Sequence, residues 1–204
     1  MNTLPVVTLS GLRPRAEPSG PEALRDLLEV WSTELESIGY PLADSVAEGR
    51  DPDEVRDYFK KMGLDVNEEL VVWFSWHDGQ SPYTAPWLTP SHQFMNLEWA
   101  VTQRAYGARL GTEFGDWNPT WIRLSDDQVS VAADTATERV RIVDNAEWNT
   151  WEPTSDTEVD SLCTAVVWFI EAIRTGAHIW NRRAGRWDRA NDLVDPVARL
   201  HGYV

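Results

Sequence analysis

Cysteine is almost absent: the single Cys163 in 204 residues cannot form an internal disulfide, so packing and hydrogen bonding must hold the chain together. Its apolar helical surroundings predict a packed core thiol rather than a nucleophile or a metal ligand. Long hydrophobic runs are missing too, and no stretch approaches the roughly 20 apolar residues that span a bilayer as a helix. The first residues show no basic segment followed by an apolar one. No membrane association is therefore expected, and the setting is expected to be reducing and cytoplasmic. Positive charge is scarce, with 18 Lys and Arg against 33 Asp and Glu, for a formal net charge of -15. That imbalance repels phosphate backbones and anionic head groups at long range, which disfavours direct nucleic-acid binding and attracts basic proteins. Acidity of this size also serves solubility without any partner.

The usual patterns of cofactor chemistry and catalysis are missing as well. Neither G-x-G-x-x-G nor a Walker A loop is present to cradle phosphates, and no G-x-S-x-G elbow presents a nucleophile. His77, His92, His178 and His201 lack ligand spacing such as H-E-x-x-H, so neither a metal nor a cofactor is expected. His77-Asp78 invites comparison with the His-Asp dyad of metal phosphohydrolases. No second dyad-partner pattern accompanies it, and a histidine at a helix C-terminus complements the helix dipole without any metal. Asp126-Asp127 falls in a turn pattern, where solvated carboxylates outnumber acid/base pairs. None of these patterns names a catalytic residue.

What is present is a succession of capped helices and short strands. Residues 1–20 are rich in Pro, Gly and Ser around the apolar run Leu4 to Leu9, an edge strand or a loosely held arm. Leu24, Leu27, Leu28, Trp31, Leu35 and Ile38 mark a long amphipathic helix, preceded by Ser19 and Pro21 and closed by Gly39. Tyr40 to Arg50 reads as a polar connection. Asp51-Pro52 with Glu54 starts a short helix that Gly63 stops. Asp65 and Glu68 repeat the capping pattern ahead of a buried helix bearing Leu70, Val71, Trp73, Phe74 and Trp76, which His77-Asp78-Gly79 ends in a polar turn. Prolines at 82, 86 and 90 exclude a helix between Gln80 and Phe94 and predict an extended loop carrying Tyr83, Trp87 and His92.

Asn96 caps a helix through Leu97, Ala100, Val101 and Ala105. After Gly115 the period becomes twofold, and Trp121 to Leu124, Gln128 to Ala133 and Arg139 to Val143 predict an antiparallel meander. Val129, Val131 and Ala133 are expected on the core face, with Gln128, Ser130 and Ala132 facing away. Glu147 to Asp156 is an acidic, Trp-bearing connection. A second long helix follows through Leu162, Val166, Phe169 and Ile173 to Gly176, then a hairpin across Ala184-Gly185 and a short helical tail. The reading is a single α+β domain over 1–204, with an arm at 1–20, a core at 21–180 and an extension at 181–204. A mainly antiparallel twisted sheet is expected to pack against several helices.

The 12 tryptophans are the compositional anomaly. Trp31, Trp73 and Trp168 fall within helical patterns and read as core. Trp87, Trp117, Trp148 and Trp151 fall in loops beside polar or acidic residues, where indoles serve as binding anchors or as lids over the core. With Trp76, Asp78, Tyr83 and Asp116 they form the candidate partner-binding set. Arg182, Arg183, Arg186 and Arg189 cluster near the C-terminus, and nearby carboxylates are expected to neutralise them.

The order of these elements resembles the SUKH superfamily, which includes bacterial immunity proteins and the fungal Knr-type regulators of cell-wall synthesis. Leu70 to Gly79, LVVWFSWHDG, is similar to the family's hydrophobic helix running into an Asp-Gly or Asn-Gly turn. Trp117 to Leu124, WNPTWIRL, is similar to its Trp-rich strand, and VSVAAD at 129–134 to its strand ending in aspartate. SLCTAVVWFIEAIRTG at 161–176 matches its long C-terminal helix. Together these span roughly 51 to 180. The loop from Gln80 to Phe94 and the arginine-bearing tail after Gly176 depart from the pattern. The resemblance implies helices on an antiparallel sheet and a protein-binding module without catalytic residues. For bacterial members it implies immunity: stoichiometric binding of a polymorphic or contact-dependent toxin, often a nuclease, here a basic toxin domain. A regulatory scaffold of the same fold is the nearest alternative. A carbohydrate-active enzyme is the alternative of a different class; it needs Trp rings that stack on sugar and two carboxylates opposed across a cleft at about 5 to 9.5 Å.

Overall fold

The computed structural model describes residues 4–10, 13–80, 86–90, 92–103, 120–126, 129–144, 157–190 and 192–193. The architecture is α+β, and every strand pairing among the described residues is antiparallel. The strands form one four-stranded sheet and four two-stranded ribbons.

The first ribbon is β1 (Val6–Ser10) against β2 (Arg13–Glu17), where a loosely held arm was one expectation. It is anchored because Ala16 is fully buried and its N–H donates to Thr164 Oγ1 at 2.9 Å. Helix α1 (Pro21–Ser37) buries Leu24, Leu27, Leu28, Trp31 and Leu35 along one stripe, the pattern that predicts it. Gly20 occupies its N-cap without a side-chain cap. Ser19 instead accepts from the Arg15 guanidinium at 2.6 and 3.0 Å.

The segment expected to be a polar connection holds a single-turn helix, α2 (Leu42–Ser45), and strand β3 (Val46–Glu48). Asp51 caps α3 (Pro52–Lys61) by accepting the Asp53 and Glu54 N–H groups. The cap of α4 (Glu68–Trp76) is Asn67, not Asp65. Its Oδ1 accepts the Glu69 N–H at 2.9 Å, while Nδ2 donates to the Asp134 and Thr137 carbonyls. One amide therefore starts a helix and ties it to the sheet.

His77 to Gln80 is strand β4, paired with β3, rather than a turn. His77 leaves α4 with extended backbone, φ -151°, and the pairing is irregular. Gly49 explains how the two segments meet: a Cβ there would sit 1.9 Å from the Ser75 carbonyl oxygen. The chain continues through β5 (Gln93–Phe94) and α5, helical over 97–103, with Asn96 Oδ1 accepting the Trp99 N–H as its capping role predicts.

The meander is present as β6 (Trp121–Arg123), β8 (Val129–Asp134) and β9 (Val140–Asp144), extended by β10 (Thr157–Val159) in the order β10-β9-β8-β6. The expected turn after β6 includes β7 (Ser125–Asp126), which pairs with β5. One expectation for β8 is corrected. Ser130 and Ala132 are buried along with Val131 and Ala133, so both faces of the strand are covered here. Helix α6 (Leu162–Arg174) is buried on nearly every side, and Ser161 caps it through the Cys163 N–H. Hairpin β11 (His178–Asn181) and β12 (Arg186–Arg189) follows, closed by a turn over 182–185 whose Gly185 has φ 61°.

Helices α1 and α6 run side by side in one direction. Cys163 Sγ lies 3.6 Å from the Gly20 carbonyl at one end, and Arg174 pairs with Glu34 at 2.8 Å at the other. Between them and α4 sits an aromatic stack centred on the fully buried Trp31, with Phe169 at 5.1 Å and Trp76 at 5.3 Å between ring centroids. Trp73 and Phe94 complete the cluster, so the core readings of Trp31, Trp73 and Trp168 hold. No helix among the described residues is long and apolar enough to cross a membrane.

Candidate partner-binding surface

Of the eight candidate binding residues, Tyr83, Asp116, Trp117, Trp148 and Trp151 lie outside the described residues. Trp76, Asp78 and Trp87 can be placed, and they do not share one patch of side-chain contacts.

Asp78 is occupied on both oxygens. Oδ2 accepts from Arg50 Nε at 2.6 Å, and Oδ1 accepts the Leu97 N–H, at the start of α5, at 2.8 Å. Arg50 also pairs with Glu98. Gly79, next in the chain, has φ 76°, and a Cβ there would lie 2.3 Å from the Asn96 backbone nitrogen. Asp78-Gly79 thus docks β4 onto the entry of α5. Its neighbour His77 is half-buried, with Nδ1 3.2 Å from the Ala47 carbonyl, and burial lowers its pKa. Among the described residues no three His, Cys, Asp or Glu side chains gather as metal ligands would.

Trp87 is half-buried, and its carbonyl accepts from Trp187 Nε1 at 2.7 Å; the Pro90 carbonyl accepts from Arg189 Nη2 at 3.2 Å. The described part of the loop is therefore held by the C-terminal hairpin. His92, expected in that loop, is fully buried against Phe94 and Phe169. Its Nδ1 lies 2.7 Å from Thr89 Oγ1, while Nε2 has no partner among the described residues. Burial holds its pKa at about 3, and that of nearby His178 at about 4, so both imidazoles are neutral at pH 7.

The arginine cluster meets its expected carboxylate only in part, at Arg186. Arg182 does not seek a carboxylate: its guanidinium donates to the Ser37 and Ile38 carbonyls at the C-terminal end of α1, satisfying orphan acceptors there. Arg186 pairs with Asp188 at 3.3 Å on an exposed surface, where such a pair contributes little.

Trp76 stands in a different setting. Its ring stacks on Trp31 and its Nε1 donates to Ser32 Oγ at 3.0 Å, yet one side remains open to a groove between α1, α3 and α4. The groove has a volume of about 440 Å³. Leu28, Val71, Val72 and Trp76 form its floor, Pro21 and Pro52 flank it, and Glu22, Arg25, Glu29, Arg56 and Glu68 stand around it. Arg56 is held by both oxygens of Glu68, at 2.7 and 3.0 Å, and by Asp53 at 2.8 Å. No ion pair among the described residues engages Glu22 or Glu29. Ser75 is among the lining residues, but its hydroxyl oxygen is buried from solvent and has no hydrogen-bond partner among the described residues.

Two residues escaped sequence reasoning. Trp99, in the first turn of α5, is 51% exposed. Glu69 is 1% exposed where α1, α4 and α6 begin together. Its carboxylate accepts the N–H groups of Gly20 at 3.1 Å and Leu162 at 2.9 Å. These donors and the helix dipoles favour the anion, but burial outweighs them and raises the pKa to about 7. Beside it, burial pushes the Cys163 thiol up to about 12, far from the low pKa of a reactive thiolate. Helical spacing already placed Glu69 on the same face as Val72 and Trp73, the signal that could have marked it as buried. A scan against protein-family models matches no family, and a search of curated proteins finds no match.

Proposed function

We propose that this chain is a non-enzymatic binding protein that recognises a basic protein partner, and that it acts as an immunity protein against a toxin domain such as a nuclease. The observation that carries this reading is the distribution of its excess negative charge. Glu22, Asp26, Glu29 and Glu36 on α1, and Asp53, Glu54 and Asp57 on α3, are all exposed. A field of that sign steers a basic partner into encounter and raises the association rate, which is what rapid neutralisation of a toxin requires. The likeness of the chain's element order to the SUKH pattern supports the same reading.

The test is co-expression with the product of the adjacent gene. A stable one-to-one complex on size-exclusion chromatography, together with restored growth of cells expressing that product, is the expected result. Absence of both a complex and protection overturns the immunity reading.

A further inference from the structure

The groove between α1, α3 and α4 combines two properties that single carboxylates do not. Its floor is apolar but shallow, because Leu28, Val71 and Val72 are all less than 10% exposed and only the Trp76 ring is partly open. Bulky apolar anchors find little surface there. A long, thin side chain with an apolar stem and a charged tip fits better, since such stems lie along apolar surface while the head stays polar. Glu22 and Glu29 stand two helical turns apart on one face of α1, engaged by no ion pair among the described residues, and Trp76 lines the same groove. Arg56 does not occupy this position, because Glu68 and Asp53 already hold it. Arg25 shares the face and opposes an incoming cation.

We infer that this groove docks an arginine- or lysine-bearing segment of a protein partner, with the cationic side chain lying over Val72 and Trp76 and its charge between Glu22 and Glu29. The inference rests on the protein-binding reading above and names the chemistry of the partner.

The probe is a short synthetic amphipathic helix carrying arginine and leucine on one face, compared with the same peptide carrying glutamate for arginine. Binding is followed by amide and indole shifts in isotope-labelled full-length protein. The basic peptide is expected to give saturable shifts at the Trp76 indole N–H and at Val71 to Ser75, and the acidic peptide none. Glu22→Lys with Glu29→Lys is expected to weaken binding on the order of tenfold, and Arg25→Glu to strengthen it several-fold. Both changes are at exposed positions, and unchanged thermal unfolding confirms that the fold is kept. No saturable binding, shifts confined to another surface, or equal affinity for wild type and the Glu22→Lys/Glu29→Lys variant each overturns the inference. A toxin neutralised equally by wild type and that variant removes the groove while leaving the immunity reading in place.

Discussion

The carboxylate of Glu69, in the first turn of α4, accepts the backbone N–H of Leu162, in the first turn of α6, at 2.9 Å across 93 positions of sequence. A second oxygen takes the Gly20 N–H at the start of α1, so one side chain fastens three helix beginnings. Because its folded pKa is raised from 4.5 to about 7, the folded chain holds this proton more tightly than the unfolded chain does. The stabilisation is complete below about pH 4.5 and is lost as pH rises through 7, a change on the order of 3 kcal/mol. Glu69→Gln should therefore gain on wild type between these pH values and run parallel to it above about 7. Urea titrations across this range check it; a constant difference between the two proteins is the contrary result.

His92 and His178 carry the opposite sign. Their folded pKa values lie below the ordinary 6.5, so their contribution is full above that pH and is lost on acidification toward about 4 for His178 and 3 for His92. Neither imidazole should titrate between pH 5 and 8 by NMR, and unfolding at pH 5 should take up protons at both. An imidazole midpoint near 6.5 in the folded protein is incompatible with this burial.

Gly79→Ala should be strongly destabilising. The residue has φ 76°, and the added Cβ meets Asn96 backbone rather than a movable side-chain end. The expected cost is about 1 to 3 kcal/mol for the backbone conformation, with the clash adding to it. Gly63→Ala serves as the control, since its φ is 67° but nothing lies within 4 Å of the added atom. Denaturant midpoints should rank wild type, Gly63→Ala and Gly79→Ala in that order.

Asp78→Ala removes an acceptor shared by Arg50 and the Leu97 N–H, and should cost about 1 to 3 kcal/mol through the groups left unpaired. Hydrogen exchange should quicken first at the start of α5. If exchange there is unchanged while a partner's affinity falls, Asp78 is a binding residue rather than a docking one.

Trp31→Ala empties the centre of the aromatic stack and should cost about 3 to 5 kcal/mol. Its indole N–H has no hydrogen-bond partner among the described residues, so Trp31→Phe is expected to be much milder than the loss of ring area alone suggests. Thermal unfolding of the two variants separates the contributions of shape and polarity.

How far these features can be read from residues depends on the range of the forces involved. Helix α1 is legible because Leu24, Leu28, Trp31 and Leu35 repeat at the helical period, and α3 because Asp51-Pro52 is a local start signal. The meander follows from alternation, but the covering of Ser130 and Ala132 does not, since it depends on what packs from outside the strand. The short segment 46–48, within what reads as a polar connection, becomes a strand because His77 to Gln80 lies alongside it, and the missing side chain of Gly49 allows that approach. Trp76 lines the groove, but the helical pattern of α4 gives no sign that a groove lies beside it. Asp78, another candidate, has its acceptors used internally by Arg50 and by a backbone N–H 19 residues away. Such pairings leave no local trace, and neither does a groove assembled from three helices.

The hold of Trp187 and Arg189 on the carbonyls of Trp87 and Pro90 makes the C-terminal hairpin a latch over a proline-containing strap. The strap's Pro86 carbonyl is met by Tyr40 and the nearby Gln80, while its Trp87 and Pro90 carbonyls take donors brought from a distant part of the chain. Anything that pulls on the hairpin is thereby felt at the strap and, through Thr89, at the buried His92 beneath it. Two surface segments 100 positions apart in the chain thus report on each other mechanically.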